Sequence, residues 1–163
     1  MKFNWVDILA ISLVASTAAI QLLRGVRDLS QVFYETALLV AALVGATKIF
    51  IPLHNLTNFS YTFCFAGSFL IFAILAIMIA TFLNRFFAFG FGGFSYILAA
   101  AFGVVCGFVV GHAVMRTLFI ALGARNAQFV DAVHRSWMAS QVLYFGAFRE
   151  LLGVLRIARY NNI

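Results

Sequence analysis

Few residues in this chain could do chemistry, and their spacing groups them. Arg24, Asp28, Gln31 and Glu35 follow one another at intervals of four, three and four. On a helix that places them on one stripe. The stripe leads from a basic turn into an apolar segment and ends at Glu35. Arg24 and Asp28 are expected to pair across one turn. Glu35 has no cation in its local sequence. A bare carboxylate is too costly to bury, so it must find an arginine, face water or be protonated. It is the leading candidate for a functional carboxylate; the alternative is a carboxylate resting among lipid headgroups.

A second polar pair, His112 and Arg116, stands four apart in "VCGFVVGHAVMR". His112 either lines a polar path or senses pH, or it is a neutral imidazole bonded to a helix carbonyl. Arg116 lies near the end of its segment and is expected to snorkel to the interface. Asp7 and Lys48 come to the same side if the first two segments form a hairpin, and they are expected to pair as a clamp. Cys64 and Cys106 sit in apolar runs without CxxC spacing or metal-ligand neighbours, so they read as small buried hydrophobes. The five acidic residues are scattered, and HExxH, GxSxG, Walker and zinc patterns do not occur. "GFGGFS" lacks the nucleotide-loop arrangement. The expectation is a non-enzyme with no metal and no cofactor.

The elements that position these residues follow from composition. The 163 residues are 64% apolar and 10% charged, against about 25% charged in a soluble domain. Mean hydropathy is +1.04. Such a chain calls for a bilayer. Four apolar segments are long enough to cross it, at about 5–23, 31–47, 61–83 and 96–118. Each must be helical to satisfy its own backbone, and the runs lack the period-two alternation of a barrel. The first reads as a retained span and not a cleaved leader, because Asp7 interrupts its start and its apolar run is long. The connectors are "RGVRD", "IPLHNLTN" with the single Pro, and "NRFFAFGFGGFS". The last is rich in Phe and Gly and is a candidate re-entrant or interface-hugging segment. Basic residues stand on both sides, so the charge counts nearly cancel and do not orient the chain.

In the fourth span Ala99, Gly103, Gly107 and Gly111 recur every four residues and make a flat ridge. In lipid, close backbone approach holds helices together, so this ridge marks tight packing. Its partner is either another helix of the same chain or a second copy in a homo-oligomer. The segment 123–163 differs. Arg135, Arg149 and Arg156 recur at multiples of seven, and Phe129, Val133, Trp137, Tyr144, Phe148, Leu151 and Leu155 at three, four or seven. A basic face beside an aromatic body suits a helix, or two, lying among anionic headgroups; the alternative is a tail packed on its own bundle. The net charge of +6 is too sparse for nucleic acid. The sequence thus predicts an all-α integral membrane protein, with a four-helix transmembrane unit over 1–122 and an amphipathic interfacial tail over 123–163.

Four stretches also resemble the colicin V production protein family. "NWVDILAISLVAS" (4–16) is similar to its opening, with an aromatic and an aspartate before the first span. "LLRGVRDLS" (22–30) is similar to its Arg-Gly turn, here Arg24 and Gly25, followed by a basic and an acidic residue. "ILAAAFGVVCGFVVG" (97–111) resembles its glycine-repeat fourth span, and "SWMASQVL" (136–143) its tail, with Trp137 three residues before Ser140. Order and spacing follow the family over nearly the whole chain. There are departures. Asp28 follows Gly25 closely and is not Glu. Ser95 and Tyr96 replace an acidic–basic pair. Cys106 stands in a region where the family often carries a basic residue, and the proline after the tail serine is missing. The resemblance implies a multi-pass protein of the bacterial inner membrane that assists toxin production or secretion and envelope homeostasis through partner proteins. The residues themselves leave a second class open: a small oligomeric channel or transporter subunit with a polar path near Glu35, His112 and Arg116.

Overall fold

The structure, a computed structural model, describes residues 3–90, 92–123 and 125–145. Its order is α1 (Trp5–Gly25), α2 (Leu29–Thr57), α3 (Tyr61–Phe86), a 3-10 turn (Gly92–Phe94), α4 (Ser95–Leu122), α5 (Ala127–Arg135) and α6 (Trp137–Tyr144). Among the described residues there is no strand. Helices α1 to α4 are each long and apolar enough to cross a membrane, so the chain is a multi-pass, all-α membrane protein.

The helix ends are written in short polar residues. Asn4 caps α1 in a reciprocal box with Asp7, and Asp28 caps α2 on the Gln31 amide. Ser60, Asn126 and Ser136 cap α3, α5 and α6. Helix α2 departs from expectation. It does not stop at residue 47 but continues through Pro52 to Thr57, so most of the expected 51–58 connector is helix. One proline forfeits a single ladder bond, and the surrounding turns stay bonded. The helix ends where Asn58 adopts a left-handed conformation, φ 56°, with its amide on the His54 carbonyl.

Consecutive α1 and α2 do not form the tight pair that their short connector suggests. The closest pairs are α1 with α4 and α2 with α3. The reason is the glycine ridge. A Cβ added at Gly103 would lie 2.8 Å from the Ala18 carbonyl oxygen, and one at Gly107 would lie 2.6 Å from that of Val14. At Gly25, on the opposite helix, it would lie 2.6 Å from the Ala99 Cβ. Two backbones therefore run in contact, antiparallel, and the ridge is occupied within the chain.

α4 is the shared wall of two cores. On one side Leu39, Ala42, Leu43, Ala46, Phe50, Phe65 and Ala76 of α2 and α3 meet Cys106, Val109 and Ala113. On the other, Val6, Ala10 and Val14 of α1 join Met115 and, from α5 and α6, Phe129, Val133, Ala139 and Val142. The described part of the tail thus packs into the bundle's core through its apolar face. Trp137, Asp131, His134 and Arg135 stay exposed, while Ser140 is partly buried. Arg149 and Arg156 lie outside the described residues. The 84–95 connector folds beside the start of α2: the Tyr34 hydroxyl donates to the Phe87 carbonyl at 2.9 Å, and Phe89 packs edge-on to Phe33 and Tyr34.

Gly107→Ala is expected to lower stability by roughly 1–3 kcal/mol, because its methyl meets backbone that cannot yield. Gly67→Ala in α3, where nothing lies within 4 Å of the added Cβ, is expected to be neutral or stabilising by up to about 1 kcal/mol. Unfolding of both variants in mixed micelles checks the contrast; equal effects would contradict the packing.

Candidate functional site

The polar stripe is not used as its own spacing suggests. Arg24 does not pair with Asp28. It reaches across to Glu35 and grips it with both guanidinium ends, Nη2 to Oε1 at 2.6 Å and Nη1 to Oε2 at 2.8 Å. Arg24 can do so because it lies in the last turn of α1, while the chain reverses before α2 begins. Asp28 is left free to cap α2, and its Oδ2 accepts from Asn84 Nδ2 at 2.6 Å.

Glu35 sits six residues into α2 with its side chain only 1% exposed. Two further donors complete its shell. Gln31 Nε2 donates to Oε1 at 2.9 Å, and Gln21 Nε2 to Oε2 at 3.3 Å. Each carboxylate oxygen thus takes two N–H groups, which is the pairing a buried charge requires. Gln21 also approaches Cys106 Sγ at 3.6 Å, and Gln31 approaches Thr81 Oγ1 at 3.5 Å. All four spanning helices contribute to this cluster. Because the Gln21 amide must point its N–H at Glu35, its Oε1 is turned away, buried and without a donor among the described residues.

Toward the near end of the bundle lies a satellite group. The Ser30 hydroxyl contacts Asp28 Oδ1 at 3.0 Å and also meets the Asn84 side-chain oxygen. Beside it opens a cleft of about 430 Å3, lined by residues 25–30, 88–90 and Ser95. Toward the far end the bundle is apolar: Leu39, Ala42 and Leu43 face Val109 and Ala113. Toward that end the buried polar side chains among the described residues are Ser68, His112, Asp7 and Ser136.

At that far end the Asp7–Lys48 clamp does not form. Lys48 is exposed. Asp7 is buried and turned toward α6: Oδ1 accepts from the Ser136 hydroxyl at 2.6 Å and the Met138 amide at 2.9 Å, and Oδ2 from the Asn4 amide at 2.9 Å. Asn4 Nδ2 adds a bond to the Ala132 carbonyl at 2.8 Å. α1 is drawn to α4 and the tail, not to the end of α2, and this separates the two charges. His112 Nδ1 bonds the Val142 carbonyl at 2.9 Å, and its ring stacks on Phe145. Arg116 lies over the rings of Phe50 and Phe65, 5.5 and 5.2 Å from their centroids. Gly25 belongs to the α1–α4 contact. Among the described residues Arg135 pairs only with exposed Asp131, four residues back, a contact of little energetic weight.

Several working residues were not singled out from the sequence. Ser136 caps α6 and donates its hydroxyl to Asp7. A serine opening a short helix was the available signal. Gln21, Thr81 and Asn84 carry no local signal, because their partners lie on other helices. Among the described residues no three His, Cys, Asp or Glu side chains could hold a metal ion.

The two ends of the ion pair differ in exposure. Arg24→Leu strands a buried carboxylate and is expected to cost roughly 3–5 kcal/mol. Glu35→Gln leaves Arg24, whose side chain is 46% exposed, free to reach the headgroups and should cost only about 1–2 kcal/mol. SDS-driven unfolding in micelles measures the order; equal losses would mean that Glu35 has another route to water. Asp7→Asn removes an acceptor from three converging N–H and O–H donors and is expected to raise protease cleavage near residues 123–136 several-fold. Lys48→Glu should leave cleavage unchanged.

No family model matches this chain, and comparisons with curated proteins and with solved structures give no match either.

Proposed function

We propose that this chain is a non-enzymatic inner-membrane protein of the colicin V production type. In this reading it assists toxin production or secretion and envelope homeostasis by holding partner proteins at the membrane. The four stretches of resemblance supply the context. The observation that carries a scaffold over a pore is the apolar middle of the bundle. Leu39, Ala42, Leu43, Val109 and Ala113 fill the space between the Glu35 cluster and the His112 end. A conduction path through one bundle needs polar or wet surface along that length. Glu35 accepts four donors from its own chain, so it is already engaged. The glycine ridge is engaged likewise, against α1. What stays outward is a set of surfaces suited to contact: the 430 Å3 cleft at one end and the exposed face of α5 and α6 at the other.

Deletion of the gene in its host is expected to reduce peptide-toxin export and raise detergent sensitivity, with both restored by the wild-type chain. Purified protein in liposomes is expected to be electrically silent under varied tension and pH. Discrete openings that disappear in Glu35→Gln would overturn this reading in favour of an oligomeric channel subunit.

A further inference from the structure

The setting of Arg116 goes beyond this function and does not depend on it. Its guanidinium lies over two aromatic rings that meet edge to face, Phe50 of α2 and Phe65 of α3. Contacts with ring faces orient the cation but use none of its five N–H donors. Among the described residues no carboxylate or carbonyl takes them. The rings belong to a ladder that continues toward the end of the α2–α3 hairpin. Phe50 meets Phe65 at 5.7 Å and Tyr61 at 6.4 Å, and Tyr61 stacks on His54 at 3.7 Å. His54 Nδ1 is engaged by the Phe59 carbonyl. His54 Nε2 and the Tyr61 hydroxyl have no partner among the described residues. Because the Phe59 carbonyl accepts from Nδ1, the neutral ring's Nε2 is itself an acceptor; the Arg116 guanidinium and the Tyr61 hydroxyl are the donors on this seam without an acceptor among the described residues.

Depth identifies the acceptor. α4 has 28 residues and Arg116 stands six before its end. At 1.5 Å per residue the helix exceeds a hydrocarbon core of about 30 Å by roughly 6 Å at each end. Arg116 thus starts about 3 Å inside the boundary, and its side chain reaches the level of lipid phosphates. Exposed Ile49, Ile51 and Phe63 on α2 and α3 at this level provide apolar surface for acyl chains. Lys48, exposed on α2, adds a second cation at this end of the bundle, while the Asp7 carboxylate there is taken up by the Ser136 hydroxyl and the Met138 amide.

We infer that the α2–α3 seam at Arg116 is a binding site for an anionic phospholipid. The guanidinium takes the phosphate, and His54 and Tyr61 stand beside it. The aromatic ladder preorganises the arginine, so that little side-chain freedom is lost on binding.

The test is native mass spectrometry of the full chain released from micelles containing phosphatidylglycerol and phosphatidylcholine. Wild type is expected to retain phosphatidylglycerol. Arg116→Gln is expected to reduce retention about ten-fold or more, as befits loss of charge-assisted bonds to a phosphate. Arg125→Gln and Arg135→Gln should retain it. Inorganic phosphate at the same concentration should not displace it. Retention unchanged in Arg116→Gln, or lost equally in the Arg125 and Arg135 variants, would overturn the site. Displacement by inorganic phosphate would overturn the lipid assignment. Should Arg116→Gln fail to fold, Arg116→Lys reads the same contact. It keeps a charge but not the planar fork, and a loss of about two- to five-fold is expected; undiminished retention would again count against the site.

Discussion

The contact on which this molecule depends is the close approach of two backbones, α1 and α4, at Gly103 and Gly107. Lipid gives no hydrophobic reward for joining helices, so association rests on how many atoms come within van der Waals range. Removing the side chains from one ridge lets the Val14 and Ala18 carbonyls of α1 come within about 3 Å of where a Cβ would stand. The consequences reach both ends of the bundle. At one end Gln21 of α1 is brought beside Cys106 of α4, and both beside Glu35. At the other end Asp7 is carried to the junction of α5 and α6, where it takes the Ser136 hydroxyl and the Met138 amide.

The two buried carboxylates solve one problem in different ways. Glu35 is neutralised by a cation, with two amides completing its shell. Asp7 meets no cation among the described residues. It accepts two backbone amides and a hydroxyl, from the caps of α1 and α6. Both arrangements bring segments distant in sequence together, and in both the carboxylate's demand for donors selects the partner. Charges in a membrane bundle commonly mark a transport path. Here they mark joints, one between α1 and α2 and the other between α1 and the tail. The apolar stretch between them separates two polar ends.

How much of this was legible in the sequence varies with the range of the interaction. The four spans and the glycine ridge are local patterns of hydropathy and spacing. Each was readable because lipid forces every apolar run to satisfy its own backbone. The second span, expected to close near Lys48, runs on as helix through Pro52 to Thr57, because proline is a mild breaker where neighbouring turns stay bonded. The pairing of Arg24 with Glu35 was open in the sequence only as a requirement: Glu35 needed a donor, and four residues of spacing offered Arg24 to Asp28 instead.

The sequence by itself determined that this is an all-helical chain with four segments able to cross a membrane, a close-packing face on the fourth, and ionisable groups too few to be incidental. Those properties depend on neighbours within a turn or two, or on transfer from water to lipid, which acts residue by residue. The tertiary structure decided which helix meets the ridge, which cation meets Glu35, that Asp7 serves the tail and not Lys48, and that Arg116 lies over Phe50 and Phe65. These choices join residues from 11 positions apart, Arg24 with Glu35, to 131, Asp7 with Met138, and local spacing cannot select among such partners. Once α1 and α4 lie backbone to backbone, every polar side chain on them has only one set of neighbours within reach.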